Sequence, residues 1–290
     1  NFNIDEKSFK AICDVKNRIN IITQERISVE LNKIMLSPRP SVGFDFLEQC
    51  GLLSIIFPEL VALKGVEDKD GVSHKDNFYH TLKVVDNVSG VSGDLWLRWS
   101  AMLHDIGKAP TKRFDKRAGW TFHGHEVVGA RMVKRIFERF KLPLGESMKY
   151  VQKLVNLHLR PIALTQDVSD SAVRRLIVDA GNDIEELFKL CKADITSKNN
   201  KKVTRIIKAF ENVEKKVALV EERDKLRNWK NPITGEDIMG YFDIEPSRVI
   251  GDIKATIKEA ILNGDITNDK DEAFQLMTKL GAELNLKVKK

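Results

Sequence analysis

Apolar residues recur every three to four positions along nearly the whole chain, and no segment shows the single alternation of a β-strand. In QERISVELNKIML (24–36), Ile27, Leu31, Ile34 and Met35 fall on one face of a helix. The same period predicts helices at 78–90, 94–107, 124–140, 146–159, 169–180, 183–198 and 200–228. Only 8 Pro and 17 Gly interrupt 290 residues, too few for a turn-rich β-sandwich. The fold class that follows is all-α. SerProArgPro at 37–40 stops one helix, and a single short helix is expected to carry Phe44, Phe46, Leu47, Leu52 and Leu53. Residues 61–77 read as a polar loop. AsnProIleThrGly at 231–235 reads as a breaker and domain boundary, with short helices beyond it at 236–241, 247–263 and 270–283. Asp170 and Asp183 stand before apolar runs and read as helix N-terminal signals.

Composition removes several classes. With 42% hydrophobic and 31% charged residues the chain is neither a disordered tail nor a fibrous repeat. No apolar run approaches the roughly 18 residues of a membrane-spanning helix. The N-terminus NFNIDEKSFK has no basic-then-apolar signal and no initiator Met, so a piece of a longer protein is expected. Cys13, Cys50 and Cys191 are scattered and odd in number, which fits a reducing, cytoplasmic setting. The net charge of +6 and pI near 9.0 suit a nucleic-acid partner as well as a merely basic surface. The strongest basic cluster is SKNNKKVTRIIK (197–208). There Lys198, Lys201, Lys202, Arg205 and Lys208 would meet RNA phosphates while Ile206, Ile207 and Phe210 turn inward.

Of six histidines, five lie between residues 80 and 158. His104 and Asp105 close an apolar helix, WLRWSAMLHDIGK. Neighbours on a helix point about 100° apart, so both reach one ion only near a helix end, and Gly107 lets the chain turn there. His80 lies in NFYHTLKVVDN, His125 opens a helix in FHGHEVVGA, His158 ends one in LVNLHLRP, and Asp194 follows an apolar stripe. Imidazole and carboxylate are ligands of borderline divalent metals. Asp105 could bridge two ions, with His80, His104 and Asp194 on one and His125 and His158 on the other. Such a pair, about 4 Å apart, activates water for displacement at phosphorus. Lys108 and Arg160 are candidates for the substrate phosphate, and Asp105 and Lys108 for the catalytic roles.

The string His80, His104-Asp105, Asp194 resembles the HD superfamily of metal-dependent phosphohydrolases, and His125 and His158 resemble its binuclear variety. His-Asp-Ile-Gly-Lys (104–108) also occurs in HD-GYP phosphodiesterases, but no Gly-Tyr-Pro continuation follows. The resemblance implies an all-helical domain holding one or two divalent ions of the Mg, Mn, Fe, Ni or Zn type, with a nucleotide or phosphoester substrate.

The flanks are similar to a second family. Residues 25–60 resemble the RNA-binding neck and body of bacterial CCA-adding tRNA nucleotidyltransferases and poly(A) polymerases. HKDNFYHTL (74–82), LHDIGKAPTK (103–112) and FHGHEVVGA (122–130) resemble the HD domain that follows in many of them, and 229–251 resembles their tail. The resemblance implies segments 1–62 (neck and body), 63–228 (HD domain) and 229–290 (helical tail), with tRNA as partner. The family's nucleotide-adding head, with its Gly-Ser turn and Asp-x-Asp magnesium pair, is expected to be missing. Asp68-Lys69-Asp70 has no preceding strand. ATP or CTP is therefore implied only through a parent protein. Two other readings stay open: a non-catalytic tRNA clamp with a structural metal site, and a stand-alone HD phosphodiesterase.

Overall fold

The computed structural model describes residues 4–66, 68–69, 72–73, 76–165, 169–197 and 199–288, with backbone alone at 68–69 and 72–73. The chain opens with α1 (Glu6–Val15), a 3-10 turn (Lys16–Ile21), α2 (Gln24–Leu36), α3 (Pro40–Gln49), α4 (Leu52–Ile56) and α5 (Pro58–Val61). A short antiparallel ladder, β1 (Asp68–Lys69) with β2 (Val72–Ser73), precedes α6 (Asn77–Ser89), α7 (Leu95–Leu103) and α8 (Lys108–Thr111). The hairpin β3 (Arg113–Asp115) and β4 (Gly119–Thr121) leads into α9 (His125–Arg139), α10 (Glu146–Leu157), α11 (Arg160–Leu164) and α12 (Asp170–Ala180). Then come α13 (Ile184–Ala193), α14 (Asn200–Asp224), α15 (Gly235–Phe242), α16 (Arg248–Asn263) and α17 (Lys270–Glu283). The fold is all-α, as the periodicity predicts. The two ladders escape an alternation test because their strands are two or three residues long.

Backbone contacts divide the chain into two compact units. The first holds residues 1–159 and 185–207, the second 160–184 and 208–290. In the first, α7 is the central helix. It packs on α2, α6 and α10, and it is buried on every side from Leu97 to Leu103. Trp99 fills the middle, its ring 6.3 Å from those of Phe57 and Phe137 and 6.0 Å from Phe140. Its indole N–H donates to Asn32 at 2.8 Å, which offsets the desolvation of that polar edge. Arg98 is buried too, and its guanidinium donates to the carbonyls of Met35, Ser37, Ser89 and Ser92 at 2.7, 2.9, 3.3 and 2.9 Å. These are orphan carbonyls at the ends of α2 and α6, so one side chain satisfies what two helix termini leave open.

In the second unit, α12 packs on α16, and α16 packs on α15 and α17. Its core is apolar, with Val173, Leu176 and Ile177 of α12, Ile253, Ile257 and Ile261 of α16 and the rings of Phe210 and Phe242 buried. No helix in the described residues is long and apolar enough to cross a membrane.

Four local expectations are corrected. Residues 40–61 form three helices, because Gly51 takes a left-handed φ of 75° and Pro58 starts a new helix. Residues 61–77 contain the β1–β2 ladder, which includes Asp68-Lys69. The helix expected at 94–107 stops at Leu103, and Ile106 and Lys108 bond back only three residues, at 3.1 and 2.9 Å. The α12 cap is Ser169, whose hydroxyl accepts from the Ala172 amide at 3.3 Å, so Asp170 stands one residue inside.

Candidate metal centre

Five short stretches of helix end or helix start converge in the first unit. α7 carries His104 as its C-terminal cap and Asp105 in the turn beyond. α6 contributes His80 from its first turn, α9 begins at His125, α10 ends on His158 as its cap, and Asp194 follows the last residue of α13. Gly107 is what lets them meet. A Cβ there would lie 2.1 Å from the His125 carbonyl oxygen and 2.7 Å from the Gly129 amide, so only glycine lets the 104–107 turn rest on the backbone of α9.

Asp105 stands at the middle, 1% exposed. Its Oδ2 lies 3.3 Å from His104 Nε2 and 3.6 Å from His80 Nε2. Its Oδ1 lies 3.3 Å from His125 Nε2 and 3.8 Å from His158 Nε2. Asp194 Oδ1 closes the first side, 2.8 Å from His80 Nε2 and 3.6 Å from His104 Nε2. The donor atoms thus fall into two groups, His80–His104–Asp194 and Asp105–His125–His158, each with its atoms within 4.8 Å of one another.

Every ring is held from behind. The Nδ1 atoms of His104, His125 and His158 face the carbonyls of Ala101, Phe122 and Val155, three residues earlier in each case, at 2.7, 2.8 and 2.6 Å. His80 Nδ1 is 3.0 Å from the Thr196 hydroxyl. A carbonyl accepts, so Nδ1 of those three rings carries a proton and Nε2 is turned inward, a lone-pair donor whenever the ring is neutral. Thr196 and the three carbonyls escaped the sequence reading. A His ending or opening a helix, with its own carbonyl three residues back, is the only signal that marks them.

The two carboxylates concentrate negative charge in the cluster and draw positive charge to it. Burial opposes ionisation of Asp105 and Asp194, but His104 and the neighbouring rings outweigh it and hold both carboxyls below the ordinary range. Burial works against a charged His104 as well, yet the two carboxylates push its pKa up to about 10. His158 goes the other way: burial and the His104 charge lower it to about 4. Lys108 Nζ adds positive charge 2.6 Å from Asp105 Oδ2. His104 Nε2 is buried without a formed hydrogen bond. An orphaned imidazole nitrogen beside one buried and one half-buried carboxylate fits a divalent cation.

The other expected site residues are spread more widely. Arg160 donates to Asp179, so its guanidinium is engaged. Lys201, Lys202, Arg205 and Lys208 are exposed on α14, while Lys198 lies outside the described residues. Phe210 is buried and Ile206 half-buried, but Ile207 is 38% exposed, since adjacent helix residues cannot share one inward face.

An HD-domain family profile matches residues 77–199, the span that contains all six donors. Residues 77–199 are an HD domain. Ahead of the HD domain, residues 1–63 match the family described as "probable RNA and SrmB-binding site of polymerase A". Around both, the chain is similar to an A-adding tRNA nucleotidyltransferase of Deinococcus radiodurans, with 29% identity over 86% of this chain and 57% of that protein. It is also similar to a CC-adding tRNA nucleotidyltransferase of Thermus thermophilus, with 29% identity over 90% of this chain and 58% of that one. A multifunctional CCA protein of Shewanella frigidimarina is 34% identical over 49% of this chain and 34% of its own length. The chain therefore spans just over half the length of the first two relatives, with the HD domain inside the shared part.

Proposed function

We propose that the HD domain is a metal-dependent phosphohydrolase acting on nucleotide or RNA phosphates, within a protein of tRNA 3′-end processing. The observation that carries it is the single buried carboxylate of Asp105, with one oxygen toward His80 and His104 and the other toward His125 and His158. A donor set of four imidazoles and two carboxylates suits Mn, Fe, Ni or Zn better than an all-oxygen magnesium site. Divalent ions bound there would supply a water acidic enough to act at neutral pH and charge to stabilise the displaced phosphate. The chain's own contribution is orientation. The Nδ1 anchors fix each ring, the buried walls restrict water, and Lys108 provides a cation at the mouth for a phosphate oxygen. Arg160 is a further phosphate candidate, in competition with Asp179.

The surrounding assignment rests on the relatives. The activities of those relatives make tRNA the natural partner, and the family matched at 1–63, described as a probable RNA-binding site, points to RNA as well. The exposed cations of α14, Lys201, Lys202, Arg205 and Lys208, are proposed phosphate contacts. Division into a neck and body segment (1–62), an HD segment (63–228) and a tail (229–290) is part of the same proposal. The second reading is a tRNA clamp with a structural metal site; the 1–63 match favours it, since an RNA-binding segment needs no chemistry.

Hydrolysis separates the two readings. The chain loaded with Mn, Ni or Mg should cleave 2′,3′-cyclic nucleotides or terminal phosphates, and Asp105→Ala should lower the rate at least about 100-fold. Metal bound in stoichiometric amount with no hydrolysis across the panel would select the clamp, and full activity of Asp105→Ala would remove the mechanism centred on that carboxylate.

A further inference from the structure

The β3–β4 hairpin has a composition and a position that the metal centre does not explain. Its register pairs Arg113 with Thr121, Phe114 with Trp120 and Asp115 with Gly119. Side chains alternate across a strand, so Phe114 and Trp120 share one face, and Lys112 and Phe122 extend it. On that face, rings and cations interleave. Trp120 meets Phe114 edge-on, centroids 5.2 Å apart. Lys112 Nζ sits 4.5 Å above the Trp120 ring, and Lys108 Nζ sits 5.7 Å from the centre of Phe122. The same Lys108 nitrogen is 2.6 Å from Asp105 Oδ2. The row of rings therefore starts at the bridging carboxylate and runs outward along the hairpin. Its members are half-buried, partly open to solvent.

The charge is one-sided. Residues 112–122 carry Lys112, Arg113, Lys116 and Arg117 against one acid, Asp115. Asp115 Oδ1 accepts from the Arg117 and Ala118 amides, both at 2.8 Å, and so closes the turn. Arg113, Lys116 and Arg117 are exposed along the edge. β2 lies against β4 and braces the hairpin.

We propose that this hairpin is a stacking track for single-stranded RNA that leads a strand to the metal centre. This rests on the phosphohydrolase reading of that centre and adds the form of its substrate. Aromatic faces with flanking cations hold unpaired nucleotides without regard to sequence, rings on bases and cations on phosphates. A duplex offers no free base faces, so the strand must be unpaired. The turn, Lys116-Arg117-Ala118-Gly119, has no large apolar residue to enter a lipid surface, which favours RNA over a membrane.

The test uses the whole chain in EDTA, so that binding is read without hydrolysis. Fluorescence anisotropy of a labelled eight-nucleotide oligocytidine measures affinity, and bis-p-nitrophenyl phosphate with Mn measures the centre separately. Lys112→Gln with Trp120→Leu should weaken oligonucleotide binding about tenfold or more. Trp120→Phe should restore most of that loss. Arg113→Glu with Arg117→Glu should flatten the slope of log affinity against log salt by roughly 1 to 2 units. Hydrolysis of the small phosphoester should persist in all of them. If Trp120→Leu loses its helical circular dichroism, Lys112→Gln and the arginine pair carry the same test in folded protein. Unchanged affinity in those variants would overturn the track, as would equal binding of a blunt duplex, or capture of anionic vesicles without oligonucleotide binding. A chain that binds the oligonucleotide through these residues but hydrolyses nothing keeps the track and rejects the phosphohydrolase.

Discussion

The two units of the chain bury different chemistry. In the described residues of the first unit, His80, His104, Asp105, His125 and His158 lie inside, together with Asn77, Thr81, Arg98 and Ser100. In the second unit no described polar or charged residue falls in the buried class, and the charges stay at the rim. There Arg174 meets Asp224 at 2.7 Å, Arg175 meets Glu259 at 2.7 Å, and Asp170 takes Lys216 and Arg223. A buried polar group costs stability unless it is paired, so a cluster such as that of the first unit would gain from a ligand. The second is held by apolar packing that needs none. Groups placed against the folding preference mark where function is built.

The comparison breaks first at Arg98. Arg98→Ala leaves four carbonyls at the ends of α2 and α6 without a donor, at about 1 kcal/mol or more each, so a loss of about 3 kcal/mol or more is expected. Urea denaturation measures it; a loss under about 1 kcal/mol would mean that buried polar groups in the first unit are not under tension.

Metal addition sharpens the contrast. A divalent ion at about 100 times its dissociation constant stabilises the native state by about 2.7 kcal/mol. In hydrogen-exchange mass spectrometry, amides of α6, α7 and α10 should slow with Mn or Ni, and those of α16 should not. The difference should vanish in Asp105→Ala. Equal slowing in α16 would erase the distinction between the units.

Acid acts on the second unit. Lys216 and Arg223 hold the Asp170 carboxyl down at about 2, against an ordinary value of 3.8. A depressed folded pKa contributes stability that is complete above about pH 4 and is lost as pH falls through about 2. Asp170→Asn should therefore destabilise at pH 6 and be neutral near pH 2. The size should stay under about 1 kcal/mol, since the pair is solvent-screened. A variant equally destabilised at both values would contradict the ion-pair account.

The smallest effect belongs to the pair Lys33–Glu30, 2.8 Å apart and exposed on both sides. Glu30→Ala should change stability by less than about 0.5 kcal/mol at any salt concentration.

Helices were legible in the sequence because each is set by apolar spacing within itself. The segment 24–36 was read to the residue, and the tail helices 247–263 and 270–283 within a residue or so at either end. The proline-marked breaks at 37–40 and 231–235 were legible too, but the short ladders and the break at Gly51 were not, because a two-residue strand has no period and the Gly51 turn depends on what packs around it. For the site, local pattern supplied the identity of His80, His104, Asp105, His125, His158 and Asp194, since a His at a helix end beside Asp and Gly is visible in one dimension. It could not supply Thr196, which lies far along the chain from the ring it anchors, nor the pairing of Phe114 with Trp120.

Sequence by itself determined the all-helical class, the six candidate donor residues and the basic excess, because residue type and spacing are properties of the string. Tertiary structure alone decided which oxygen of Asp105 faces which imidazoles, and which side chains the units bury. It also set a row of rings leading away from Lys108. Those depend on the close crossing at Gly107, where the turn meets the backbone of α9 with no room for a side chain, and a distance between segments is not written in either one.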